Sequence, residues 1–213
     1  FPFGQGWGFG TVNPKIWEDW FDDDIRKTGS IFNVTNRNEV VLYTFGADSH
    51  VDETSYVQKK YIPINVYADG THTVVHNYSM ELYGNTVDNY MLNNTQDLVL
   101  IRFADVLLMA AELNLGTAKA QSFLDRVRAR VNLPSVPATL DNIKAERRFE
   151  LAFEGVRFYD LLRWHDADRV LNENQKDIVI YRSRTETVTK TITYRPETNG
   201  FLQIPLSEIE LSK

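Results

Sequence analysis

Between Arg102 and Leu115 the apolar positions fall at Phe103, Val106, Leu107, Ala110 and Leu113, the spacing that fills one face of a helix. Leu108 and Met109 widen this stripe until it nearly encircles the helix, which predicts a mostly buried element. Gly116 stops it, and Thr117 caps a second helix in which Phe123, Leu124, Val127 and Val131 form a narrower stripe facing back. The run Leu133-Pro134-Ser135-Val136-Pro137 breaks the pattern. A third helix starts after Thr139 and runs to Glu154, with Gly155 as its left-handed stop, and a fourth covers Arg157 to about Asp166. Short connections make these two antiparallel pairs.

The first 96 residues follow a different pattern. Asn13-Pro14 gives a cap and a first turn, and Ile16, Trp17, Trp20 and Phe21 then share one face of a short helix to about Ile25. Glu39 to Phe45 and Thr71 to Tyr78 have strand composition, separated by the turn formers Asp69-Gly70 and followed by Tyr83-Gly84-Asn85. Residues 178–211 read as strand and turn: Ile178 to Tyr181 and Val188 to Tyr194 form a ribbon before Asn199-Gly200 turns the chain. The composition shift at Asn93-Asn94-Thr95 is the best internal boundary. The expected organisation is a loop-rich, aromatic, ligand-facing segment at 1–96, a helical core at 97–171, and a β-ribbon with a tail at 172–213, folded as one unit. The fold class is mainly α, with long irregular loops and a few short strands. The small and large apolar positions of 102–131 are spaced as in a tetratricopeptide unit.

Composition narrows the function classes. The chain has 213 residues, 43% hydrophobic and 24% charged, which is ordinary for a globular protein and excludes a disordered chain or a coiled coil. No run reaches the roughly 20 apolar residues of a membrane span. A net charge of −6 disfavours a phosphate-backbone partner, so no nucleic acid is expected. The absence of Cys removes disulfides, thiolate metal sites and cysteine nucleophiles together. The opening Phe1-Pro2-Phe3-Gly4, with no Met and no leader-type segment, reads as a processed chain or a piece of a longer one.

Several motifs invite chemistry and do not carry it. Gly4, Gly6, Gly8 and Gly10 miss the phase of a dinucleotide fingerprint, because Phe9 and Thr11 occupy the third positions. Asp22-Asp23-Asp24 lacks cation-loop spacing and reads as a solvated corner at a helix end. His72 and His76 have zinc spacing for a helix but lie in a strand, where four residues separate the rings by about 13 Å. No metal and no cofactor is therefore expected. The charge cluster Glu146, Arg147, Arg148, Glu150, Glu154, Arg157, Asp160 and Arg163 contains paired carboxylates, as a glycosidase would need. Glu150, Glu154 and Asp160 each have an Arg three or four residues away, which favours the ionised form and makes interhelical ion pairing the better account. Ser49-His50 has no nucleophile elbow around it.

Aromatic residues are the compositional excess, at 12%. Outside the helices stand Trp7, Phe9, Tyr43, Tyr56, Tyr67, Tyr78, Tyr83 and Tyr90. Some cover a small core. Others suit a stacking platform, where sugar C–H faces pack on rings while Asn, Asp and Arg bond the hydroxyls. Trp7, between Gly6 and Gly8, and Tyr83, beside Gly84, are the rings whose neighbours shield them least, with Asn36, Arg37 and Asn85 as hydroxyl partners. Trp17, Trp20 and Trp164 share faces with apolar neighbours and are expected to be buried.

The stretch Ile101 to Glu112, IRFADVLLMAAE, resembles the signature of the SusD/RagB family, as do Phe123 to Ala129, FLDRVRA, and Glu146 to Trp164, ERRFELAFEGVRFYDLLRW. The ending Leu202 to Ile209, LQIPLSEI, and the weaker Trp7-Gly8-Phe9 and Asp24-Ile25-Arg26 fall in the same order. This resemblance implies tetratricopeptide-like helix pairs carrying irregular loops, and the C-terminal part of a longer protein. It implies a non-catalytic outer-membrane lipoprotein that captures glycans or other nutrients at the cell surface and sits on a SusC-like TonB-dependent transporter. The lipid anchor would lie outside this chain. It also implies that Arg147, Glu150, Glu154 and Arg157 tie two helices together as scaffold. Two other readings stay open: a carbohydrate-active enzyme or its accessory domain, and a purely structural transporter adaptor.

Overall fold

A computed structural model of the chain describes residues 11–33, 54–60, 65–67, 74–77, 99–174, 178–181, 187–198, 201 and 204–212. Asn13 starts α1 (Pro14–Asp19): its side-chain oxygen accepts a hydrogen bond from the Lys15 amide at 3.0 Å, and Pro14 occupies the first turn. The single helix expected to reach Ile25 is instead two. The chain becomes extended at Trp20, and Asp24 caps α2 (Ile25–Ser30) by accepting the Arg26 amide at 3.0 Å. Asp is a poor interior residue and a good cap, so the acidic run ends one helix and opens the next. Of the expected shared face, Ile16, Trp17 and Trp20 pack in one cluster, while Phe21 turns outward: Trp20 is 2% exposed and Phe21 61%. Asp22 and Asp23 are exposed, but Asp24 is buried rather than part of a solvated corner.

Strand β1 (Ile31–Asn33) follows α2 directly and pairs antiparallel with β2 (Tyr56–Gln58), Phe32 opposite Val57. A second antiparallel pair joins β3 (Asn65–Tyr67) to β4 (Val74–Asn77), within the stretch read as a strand from sequence. Glu39 to Phe45 lies outside the described residues.

The helical core is built on α3 (Phe103–Leu113) and α4 (Ala118–Ala129), joined by Gly116 at φ 79° and capped by Thr117. Leu107, Leu108 and Ala111 of α3 meet Leu124 and Val127 of α4, and Ile143 of α5 (Leu140–Glu150) closes the cluster. Helix α3 is not mostly buried. Leu108 is fully covered, but Phe103, Val106 and Leu113 are exposed, Leu113 at 86%. Helices α4 and α5 pack on one side of α3, and its apolar girdle is wider than the surface they cover among the described residues.

Thr139 caps α5, whose α-helical hydrogen bonding stops at Glu150 rather than Glu154. Residues 151–155 form a turn with Phe153 at φ 67° and Gly155 at φ 76°, which folds Leu151 and Ala152 inward. Helix α6 (Arg157–Arg163) ends three residues earlier than expected, and His165 at φ 57° turns the chain into α7 (Ala167–Asn174). An antiparallel ribbon follows, β5 (Ile178–Tyr181) with β6 (Thr187–Lys190), in the place expected although β6 ends before Tyr194. The side chain of Asn172 accepts the Tyr194 amide at 2.8 Å and ties the segment after the ribbon back to α7. Near the C-terminus Pro205 precedes α8 (Leu206–Leu211), a helix where strand and turn were expected. Proline pre-sets the backbone of a helix start. Among the described residues no helix is long and apolar enough to cross a membrane.

Candidate functional site

The residues read from sequence as a sugar platform, Trp7, Tyr83, Asn36, Arg37 and Asn85, all lie outside the described residues. What the structure does describe is the helical scaffold, and where its charges and rings go.

Each indole in the described residues already has protein against it. Trp20 donates its Nε1 hydrogen to Asp24 at 2.9 Å and packs against Phe149, ring centroids 5.0 Å apart. Trp17 stacks on Tyr56 at 5.0 Å and carries the Lys27 ammonium 4.5 Å from its ring. Trp164 donates to Glu112 at 2.9 Å and has Lys144 at 5.1 Å and Arg163 at 4.3 Å from its ring centroid. Trp20 is buried as expected. Trp17 and Trp164 are only half-buried: Trp17 packs on Tyr56 with the Lys27 ammonium over its ring, and Trp164 is covered by Lys144 and Arg163.

The charge cluster is the structural centre. Glu150 is fully buried at the end of α5, and its two carboxylate oxygens accept hydrogen bonds from Arg26, Arg102 and Arg130. Glu146, one turn earlier, accepts from Arg26 at 2.6 Å and Arg128 at 2.6 Å. Arg26 itself forks onto Asp24, with its Nη2 at 2.7 Å from that carboxylate. Glu154 takes Arg102 and Lys60, each at 2.8 Å. Lys60 also donates to the carbonyls of Glu150 and Ala152 at 3.1 Å, and Arg102 donates to the Glu150 carbonyl, so two cations satisfy the orphan carbonyls at this helix end. A second set joins Arg147 to Asp105 at 2.7 Å and Asp160 at 2.9 Å, linking α5 to α3 and α6.

These partners fix the protonation states. Burial alone would raise the Glu150 carboxyl, but the hydrogen bonds from Arg102 and Arg26 outweigh it and hold the group below the usual range. Asp24 behaves likewise: burial opposes the charge, and Arg26 and Trp20 stabilise it. General-acid chemistry needs one carboxyl raised and free to face a substrate. Glu150 and Asp24 are shifted the other way, and the acids of this cluster are held by arginines.

Interhelical ion pairing is thus what the cluster does, with corrections to its membership. Most of its bonds join residues far apart in sequence rather than three or four apart, as Arg26 to Glu150 and Arg102 to Glu154 show. Arg157 does not belong. It makes no hydrogen bond or ion pair with the described residues, and burial together with the neighbouring Arg148 charge pulls its pKa down to about 10. Arg26 and Arg102 fill the role instead. Both stood inside recognisable motifs, but only tertiary contact assigns them their acids.

A hairpin of amphipathic helices, a third helix closing its core and a buried arginine–glutamate lattice define a tetratricopeptide-like helical scaffold. The chain belongs to the SusD family, which it matches over residues 3–213. It is 25% identical over 189 residues to SusD-like protein P2 of Formosa agariphila, covering 81% of this chain and 34% of that protein. Among solved structures it resembles a laminarin binding SusD-like protein at 32% identity, TM-score 0.69, over 98% of this chain and 38% of the other. It also resembles surface glycan-binding protein A from Bacteroides fluxus at 26% identity, TM-score 0.65, over 100% of this chain and 40% of the other. The chain therefore spans roughly a third to two fifths of the length of these relatives.

Proposed function

We propose that the protein captures glycans at the cell surface without chemical turnover and hands them to a SusC-like TonB-dependent transporter in the outer membrane. The observation that carries this reading is the 32% identity, extending over nearly the whole chain, to a protein described as laminarin binding. The state of the carboxylates supports the non-catalytic half of it, since Glu150 and Asp24 are locked as arginine-bound anions. Family membership supports an outer-membrane location, reached through a lipid anchor, and the transporter partner.

Within this reading the segment 1–96 faces the ligand, 97–171 is the scaffold, and 172–213 is a ribbon and tail. Trp7 and Tyr83 stack on the sugar, and Asn36, Arg37 and Asn85 bond its hydroxyls. The three described indoles support the choice indirectly, because protein groups already occupy their rings. Affinity electrophoresis against a panel of polysaccharides that includes laminarin tests the reading. Retardation by at least one glycan is expected, and it should be lost on Trp7→Ala or Tyr83→Ala. No retardation by any member of the panel would overturn it.

A further inference from the structure

Helix α3 has three faces, and two of them are occupied. Leu107, Leu108 and Ala111 sit in the core against α4 and α5. Asp105 and Glu112, on the next face, accept hydrogen bonds from Arg147 at 2.7 Å and Arg163 at 2.6 Å. The third face carries Phe103, Val106, Met109, Ala110 and Leu113, with no charged side chain among them. All but Ala110 are exposed, Phe103 at 62%. The stripe runs about 15 Å along the helix, long enough to seat a partner helix. A contiguous apolar face of this kind, left to water on a helix whose other faces are satisfied, marks an interaction surface.

Its border on the α4 side is cationic. The Arg126 guanidinium lies over the Phe103 ring, 5.3 Å from the centroid, and Lys119 stands two turns earlier on the same face of α4. Neither has an acidic partner among the described residues. On the opposite border the one acid, Glu112, is already held by Arg163 and by the Trp164 indole. A second copy of the chain, laid stripe to stripe, would bring to these cations only their own kind or an acid already bound, and like charges set face to face disfavour that pairing. An amphipathic helix with acids along one edge of its apolar face fits both the stripe and its border.

Helix pairs of this class bury their remaining apolar face by stacking on a neighbouring pair. The match covers 34%, 38% and 40% of the three relatives described above, so more than half of each lies outside it. We propose that the bare face of α3 is the seam for an amphipathic helix with an acidic edge, contributed by polypeptide that these 213 residues do not span. Phe103 and Leu113 anchor the two ends of the seam, and Arg126 and Lys119 pair with the acids. The inference is independent of glycan capture, which is read by laminarin and by Trp7→Ala.

The chain has no Cys, so a single Leu113→Cys reports on this face alone. Its reaction with dithionitrobenzoate is timed under native conditions in the 213-residue chain and in the complete gene product, any further Cys there being replaced by Ser. The thiol should react freely in the first and at least about a hundredfold more slowly in the second, where reaction must wait for the seam to open. Val106→Cys repeats the measurement if Leu113→Cys fails to fold. Adding Lys119→Glu and Arg126→Glu to the complete product should speed its reaction about tenfold, while the same pair leaves the melting temperature of the 213-residue chain unchanged. Equal rates in the two forms, or a gene product no longer than this chain, would overturn the proposal. So would slow reaction in the 213-residue chain itself, where sedimentation then assigns the cover to a second copy or to the chain's own residues. Protection that survives both charge reversals would overturn an acidic helix as the occupant.

Discussion

Removing the Glu150 carboxylate probes the scaffold at the point where most of it converges. In Glu150→Ala three arginines lose an anion at once. Breaking a buried pair costs about 3–5 kcal/mol, because the remaining charge stays desolvated. The structure sets where in that range this case falls. Arg26 is buried but keeps Asp24 at 2.7 Å and Glu146 at 2.6 Å, and Arg102 keeps Glu154 at 2.8 Å. Arg130 is mostly exposed and returns to water. The loss therefore sits at the low end, about 3 kcal/mol. With a urea slope of about 2 kcal/mol per molar, the unfolding midpoint should fall by about 1.5 M. Arg130→Ala, which removes a solvated partner of the same carboxylate, should cost under about 1 kcal/mol. A midpoint shift below about 0.3 M for Glu150→Ala, or equal shifts for the two variants, would refute the claim that the lattice is desolvated and cooperative.

Glu154→Ala strips Lys60 and Arg102 of a shared acid and should destabilise by about 2–4 kcal/mol in the same urea assay, leaving glycan affinity of the folded protein unchanged. Asp24 and Glu150 have folded-state pKa values depressed below their unfolded values of 3.8 and 4.5. Their stabilisation is thus complete above the unfolded values and is lost as pH falls through the folded ones, so stability should drop below about pH 4.5 and Glu150→Gln should flatten that acid limb. Leu108→Ala, at the centre of the helical core, should cost about 2–5 kcal/mol, whereas Leu113→Lys on the exposed face of the same helix should stay within about 0.5 kcal/mol by thermal melt. Trp20→Ala should lower the melting temperature without changing glycan affinity, and Trp7→Ala should do the reverse, with a loss of affinity of about thirtyfold.

The helices from Phe103 to Arg163 were legible because periodicity and caps are local: Gly116, Thr117 and Thr139 each act where the sequence places them, whereas α5 ends at Glu150, ahead of the left-handed Gly155. What failed required knowledge of a distant partner. The break after Asp19 depends on Asp24 being more useful as a cap and as the anion for Trp20 and Arg26 than as a helix interior residue. Arg26 meets Glu146 and Glu150 across more than a hundred residues, a pairing no spacing rule encodes, and Arg157 looked equivalent only because it stood close in sequence. The outer face of α3 was read as buried because an apolar girdle reports the capacity for contact and not which side a neighbour takes. The platform residues rest on loop chemistry alone, since Trp7, Asn36, Arg37, Tyr83 and Asn85 fall where the structure is not described.

Glycan capture without turnover is tested most directly by incubating the protein with each member of the polysaccharide panel and measuring bound glycan and newly released reducing ends in the same samples. The account predicts saturable binding of at least one glycan with no reducing ends above the protein-free control. Reducing ends that accumulate with time and disappear on substitution of a single Glu or Asp would contradict it.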